Sequence, residues 1–348
     1  MLAVVYHGPE DLRVEQVPIP TISDDEILIK MISASICGTD LRIKHGAHRN
    51  YPAGTIRIPG HELVGDIVSI GKNIEGYHQG DRVFVAPNMG CGHCKQCISG
   101  NNNLCKDFDA IGITIDGGFA EYVRIPAAAI LQGNIIPINK KVDPSVAALT
   151  EPFACVLRGQ NALHIQPGDN VLIMGAGPIG VMHMLLAKLR GAGHVWVSEM
   201  VDERIEQVKK LGADRVINLN NEDQIKVVQE ETNGQGADVV IVAAPSGQAQ
   251  ETALQIAGIS ARINFFGGLP KDRSTIQFDS NIVHYKELLV TATTACSTQN
   301  CIQASTIINS GRIDLSPLVT AKYRLEEALE AFTAAESRNS LKVVFNND

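Results

Sequence analysis

Four cysteines stand within fifteen residues, as Cys91-x2-Cys94-x2-Cys97-x7-Cys105. The chain around them, Gly-His-Cys-Lys-Gln-Cys-Ile-Ser-Gly-Asn-Asn-Asn, is polar and glycine-rich, so these thiols cannot all be core side chains. Four sulfurs on a short irregular loop suit one tetrahedral metal, most often Zn²⁺. The spacing also opens like a ferredoxin run, but there the fourth cysteine comes after three residues and precedes proline. Here it comes after seven and precedes Lys106, which argues against an iron–sulfur cluster. Four thiolates close a coordination sphere, so this lobe is expected to be structural.

A second set of ligand types is scattered. Cys37 lies in Ile-Cys-Gly-Thr-Asp, His61 and Glu62 in Pro-Gly-His-Glu, and Glu151 in Thr-Glu-Pro. Cysteine, histidine and carboxylate are the ligands of a catalytic zinc, which keeps one position for water or substrate. Each also has an ordinary explanation: a buried inert thiol, a turn, a segment boundary.

The third set is Gly175-x-Gly177-x-x-Gly180, which follows the apolar run 170–174 and opens a helical stretch. In that context Gly175 permits a tight turn, Gly177 a close approach to a pyrophosphate, and Gly180 close helix packing. The helix N-terminus offers unpaired N–H groups to the anion. Glu199, 24 residues after Gly175, suits the adenosine ribose hydroxyls. It would repel a 2′-phosphate by about 1–4 kcal/mol at ~4 Å. NAD is therefore expected over NADP, with Arg204 as a partial offset.

These residues need scaffolds. Before residue 150 the chain reads as short strands (2–6, 26–32, 63–70, 82–86, 120–125) punctuated by Gly and Pro, an irregular, partly barrelled β-rich unit. From about 165 strands alternate with helices: strands at 170–174, 194–198, 215–218, 237–242, 261–265 and 287–293, helices at 181–190 and 202–211. That alternation predicts an α/β doubly wound parallel sheet. The end returns to mixed character, with a helix near 325–332 and a strand at 342–345.

At 348 residues the chain has room for roughly two domains of ~150 residues. A net charge of −8 disfavours a nucleic-acid surface, and no apolar run is long enough to span a membrane. With no secretory signal in view, eight cysteines fit a reducing compartment, so cytoplasm is expected.

Taken together and in order, Cys37-Gly-Thr-Asp, Gly60-His61-Glu62, the four-cysteine lobe, Glu151-Pro152 and Gly175-Ala-Gly-Pro-Ile-Gly180 resemble the zinc-dependent medium-chain dehydrogenases. The likeness is greatest to the polyol branch of sorbitol, threonine and galactitol-phosphate dehydrogenases. It implies a GroES-like catalytic domain (1–151, zinc lobe about 88–108), a Rossmann NAD-binding domain (152–290) and a return to the first domain (291–348). It further implies two zinc ions per chain, one held by Cys91, Cys94, Cys97 and Cys105, the other by Cys37 and His61. Glu62 and Glu151 would be alternative carboxylates, one inner-sphere and one acting through water. Thr39 would hydrogen-bond the substrate oxygen. Gly175, Gly177, Pro178, Ile179, Gly180, Glu199, Arg204 and Lys342 would contact NAD.

The implied reaction is reversible oxidation of a secondary alcohol of a polyol or sugar alcohol to the ketone, with hydride passed to NAD. The implied assembly is a homodimer or homotetramer. A threonine-type or other alcohol substrate, or a catalytically silent nucleotide sensor, are the alternatives. One departure stands out: Arg42 occupies a position that is histidine in some relatives. With Lys44, His45, His48 and Arg49 it makes a cationic segment, either a solvated loop or an anion site for a phosphorylated polyol, in which Arg42, His48 and Arg49 would touch substrate.

Overall fold

The computed structural model describes residues 1–337 and 339–347. The chain divides into two compact units, Met1–Ala154 with Ala295–Asp348, and Cys155–Thr294.

The first unit is built on a seven-stranded sheet. Its path runs Val319–Tyr323, Lys342–Asn346, Ile27–Ser35, Glu62–Ile70, Arg82–Val85 and Ile135–Pro137, with Tyr122–Ile125 also on Ile27–Ser35. All pairs are antiparallel except Val319–Tyr323 with Lys342–Asn346. Inward side chains such as Ile27, Ile29, Met31, Leu63, Ile67, Phe119, Phe332 and Phe345 are essentially solvent-free and form one core. Phe119 meets the rings of Phe332 and Phe345 edge-on at 5.9 and 5.0 Å, so the C-terminal segment is packed into the N-terminal core.

The second unit is a six-stranded parallel sheet. Its order is Arg215–Asn218, His194–Glu199, Asn170–Met174, Ala237–Val242, Ala257–Phe265, Leu289–Ala292. The first strand in sequence lies centrally, with the second and third on one side and the others on the opposite side. That is the doubly wound arrangement, with its switch point at the C-terminal end of Asn170–Met174. The α/β expectation therefore holds.

Differences from the sequence reading are local. The helix after the glycine turn is Pro178–Leu189, three residues earlier than expected, because Pro178 at the first helical position supplies a helical φ and lacks only an N–H that would be unpaired anyway. The first turn of a helix leaves N–H groups unpaired, so Pro152 is tolerated as the third residue of the helix Thr150–Leu163, and Glu151-Pro152 lies inside a helix and not at a segment boundary. Near the C-terminus a 3-10 turn, Leu325–Glu327, precedes the helix Ala328–Glu336. Among the described residues no helix is long and apolar enough to cross a membrane.

Candidate functional site

Strand pairing brings Cys37, His61 and Glu62 together. Ser35 faces Glu62 across the antiparallel pair Ile27–Ser35 and Glu62–Ile70. Cys37, two residues past one strand, and His61, one before the other, thus reach the same sheet end. Gly60 makes the turn between Pro59 and His61 with φ +100°, and a Cβ there would lie 2.5 Å from the Phe119 ring. Only glycine fits.

Ligand atoms of Cys37, His61 and Glu62 all lie within 4.8 Å of one another. His61 and Glu62 are buried, and Cys37 is half-buried. Asp40, which no motif singled out, is 1% exposed and lies beside both Cys37 and His61. Its Oδ2 accepts the Cys37 N–H at 2.8 Å, closing the first turn of the helix Gly38–Lys44. Its Oδ1 lies 3.4 Å from His61 Nδ1, an ion-pair distance at which neither atom makes a hydrogen bond among the described residues. Burial opposes a charge on His61, but Asp40 and Cys37 together raise its pKa well above the ordinary value. A carboxylate behind the imidazole is how proteins orient a metal-ligating histidine. Its sequence signal was available, since a carboxylate three residues after a helix cap is a capping-box pattern.

Lys342 is 4% exposed and donates from Nζ to Glu62 Oε2 at 2.5 Å and to the Ile36 carbonyl at 3.0 Å. Burial works against this ammonium, yet Glu62 and Cys37 hold its pKa above the usual lysine value. The residue expected at the cofactor therefore has its charge committed beside Cys37 and Glu62. Glu62 Oε1 is buried with no hydrogen-bond partner among the described residues. An orphaned carboxylate oxygen grouped with a thiol and an imidazole fits a divalent cation. Glu151 lies outside this group: it is buried, with Oε1 accepting the Cys296 thiol at 3.5 Å.

The four-cysteine lobe is compact. Sγ separations are 4.0 Å for Cys91–Cys97, 3.5 Å for Cys94–Cys97 and 3.8 Å for Cys94–Cys105. A tetrahedral ion with Zn–S bonds of ~2.3 Å separates its sulfurs by about 3.8 Å, so the donor set fits zinc. A backbone hydrogen bond from Cys97 brings the Cys94 thiol down to about 7, whereas burial pushes Cys97 up to about 12. Without a cation, four thiolates cannot coexist so closely.

In the second unit Gly175 has φ +109°, and a Cβ on Gly180 would lie 1.9 Å from the Gly175 carbonyl oxygen. Gly177 caps the helix Pro178–Leu189, with Ile179 and Gly180 in its first turn. A Cβ on Gly177 would meet nothing nearer than Arg204 Nη1 at 3.9 Å. The fold thus makes no demand for glycine at 177, and the space beside it is open to a ligand. Glu199 braces this turn, with Oε2 accepting from Ala176 N at 2.9 Å and Oε1 from Met200 N and Val201 N at 2.7 and 3.0 Å.

The cationic segment separates into two parts. Lys44 pairs with Glu336 at 2.7 Å, and His45 lies between Glu10 and Glu336. Arg42 and Arg49 are exposed, and Arg42 Nη2 donates to Thr39 Oγ1 at 3.0 Å. His48 is half-buried against the edge of Tyr51, and burial, then Arg42, His61 and Arg49, bring its pKa to about 4. It is therefore neutral at pH 7.

Residues 23–138 match the alcohol dehydrogenase GroES-like domain, and residues 178–310 match the zinc-binding dehydrogenase domain. An L-threonine 3-dehydrogenase of Pyrococcus horikoshii is 36% identical over 335 residues, covering 95% of this chain and 93% of its own. A sorbitol dehydrogenase of Bacillus subtilis is 31% identical over 337 residues, covering 96% and 93%. Among solved structures, a zinc-binding dehydrogenase of Sinorhizobium meliloti bound to NADP superposes with a TM-score of 0.92 at 28% identity, over 99% of each chain. Galactitol-1-phosphate dehydrogenase of Escherichia coli superposes with a TM-score of 0.88 at 26% identity, over all of both chains.

Proposed function

The chain belongs to the zinc-binding alcohol dehydrogenase family, and from that premise we propose that it oxidises a secondary alcohol of a polyol or sugar alcohol to the ketone, passing hydride to NAD. The observation that carries this reading is the Cys37–His61–Glu62 group with its orphaned carboxylate oxygen, distinct from the closed four-sulfur lobe. Cys37 and His61 would hold one zinc, with Glu62 or Glu151 as the carboxylate partner. Cys91, Cys94, Cys97 and Cys105 would hold the second.

A zinc ion held at the first site would polarise an alcohol oxygen and lower its pKa. The chain's own residues do the rest. Asp40 would orient His61 through its charge 3.4 Å away, and Lys342 balances the charge of Glu62 in a buried setting. Thr39 accepts a hydrogen bond from Arg42, which leaves its own hydroxyl hydrogen to donate to the substrate oxygen. Gly177 leaves room for the pyrophosphate, and Glu199 offers carboxylate charge to the ribose hydroxyls and against a 2′-phosphate. Arg204, whose Nη1 lies 3.9 Å from where a Cβ on Gly177 would stand, would partly offset that discrimination.

Arg42 and Arg49 supply the charge for a phosphorylated polyol, because Lys44 and His45 are tied to Glu336 and His48 is neutral. A second reading, L-threonine as substrate, is favoured by the threonine dehydrogenases among the relatives. The chain would work as a homodimer or homotetramer in the cytoplasm. NADH absorbance across free polyols, their phosphates and L-threonine, with Arg42, His48 and Arg49 variants alongside, separates these readings. Turnover of L-threonine alone, or of free polyols with unaltered variants, refutes the phosphate reading. Cys37→Ser should abolish turnover and spare NADH binding; retained turnover refutes the catalytic assignment.

A further inference from the structure

Cys296 and Cys301 meet at the start of the helix Thr298–Asn309. Ser297 is the cap: its Oγ accepts from Asn300 N at 3.4 Å, and its own N–H donates to Asn300 Oδ1 at 3.1 Å. Cys296 therefore occupies the position before the cap and Cys301 the fourth helical position. Two apolar side chains ordinarily pack at these positions and fix the angle at which the chain enters the helix. Here both are thiols, each 1% exposed, with their Sγ atoms 3.5 Å apart. Cys296 also donates its thiol hydrogen to Glu151 Oε1 at 3.5 Å.

We propose that Cys296 and Cys301 form a redox modification site that a water-sized hydroperoxide converts to a disulfide. Closing the bond moves the sulfurs from 3.5 Å to about 2.05 Å. One thiol sulfur attacks a peroxide oxygen, breaking the O–O bond to give a sulfenic acid and water. The other sulfur then attacks that sulfenic sulfur, breaking its S–O bond and releasing a second water. The two thiols lose two electrons and two protons, and hydrogen peroxide is reduced to two waters. The product has no thiol hydrogen, so Glu151 Oε1 loses the donor that Cys296 supplied. Packing alone would be served by valine or leucine at these two positions, whereas paired thiols beside a buried carboxylate add a reversible chemistry. Both thiols are 1% exposed, so a small oxidant, hydrogen peroxide, is expected to act in preference to glutathione disulfide. The modification itself is independent of the substrate proposed above.

Cleavage after Lys286 and Arg312 yields one peptide, residues 287–312, whose cysteines are these two alone. The zinc-loaded full chain is treated with hydrogen peroxide, quenched, denatured and alkylated, and this peptide is weighed. The expected peptide has lost two hydrogens and takes no alkyl group; dithiothreitol before alkylation restores both sites. Glutathione disulfide should leave both sites alkylated. Cys301→Ser, or Cys301→Ala if serine perturbs the circular dichroism, should prevent the two-hydrogen loss. A peptide that stays doubly alkylated while Cys37 or the four-cysteine lobe oxidises overturns the site. Direct passage of each thiol to sulfinic acid does the same.

Discussion

Replacing Lys342 with methionine keeps most of the side-chain volume and removes the charge opposite Glu62. The two groups are 2.5 Å apart and almost solvent-free, at 4% and 0% side-chain exposure. At an effective dielectric of about 20 their gross attraction is about 6–7 kcal/mol. Desolvating each ion costs several kcal/mol, so the pair contributes little net stability. Removing one partner is different, because the remaining charge is left buried; about 3–5 kcal/mol is expected for Lys342→Met, and a comparable loss for Glu62→Gln. The double variant should lose at least about 2 kcal/mol less than the sum of the singles. Urea unfolding of metal-free protein, followed by circular dichroism, reads this cycle. Trp196, the single tryptophan, sits in the other unit and reports its unfolding separately by fluorescence. Additive single effects, or a Lys342→Met loss below about 1 kcal/mol, would refute the idea that the pair is balanced only as a pair.

Other outcomes follow from the same geometry. Burial brings His183 down to about 3, so the folded chain keeps it neutral while the unfolded chain protonates near 6.5. That stability is complete above pH ~6.5 and is lost as pH falls towards 3, up to about 4–5 kcal/mol in all. His183→Gln should flatten the pH dependence of Trp196-detected unfolding over this window; an unchanged slope counts against a buried neutral imidazole. Gly177→Ala should leave the melting temperature unchanged and weaken NADH binding, whereas Gly180→Ala, with its Cβ 1.9 Å from the Gly175 oxygen, should lower both. Equal behaviour of the two in calorimetry and NADH titration would contradict the distinction. Asp40→Asn should reduce zinc affinity at the Cys37–His61 site by about 10–100-fold in a chelator competition. Full zinc retention would show that Asp40 does not orient His61.

The sequence by itself determined the parts whose chemistry is local. Four thiols on a short polar loop need no distant strand to stand out as a candidate metal lobe, and the strand, turn and helix around Gly175, Gly177 and Gly180 were legible because they are contiguous. The parallel sheet was legible because each strand and its helix form a continuous pattern. What only the tertiary structure decided involves residues far apart in the chain. Lys342 reaches Glu62 across 280 residues, and Cys296 reaches Glu151 across 145. No spacing announces either contact, because strand register and helix docking bring them about after the local elements exist. Glu62 and Glu151 were equivalent on paper; the pairing of Ser35 with Glu62 gathers Glu62 with Cys37 and His61 and leaves Glu151 with a thiol partner. Charge tells the same story. Lys44 and Arg42 are two residues apart in one cationic run, yet one is bound to Glu336 and the other to Thr39, because a helix points neighbouring side chains in different directions.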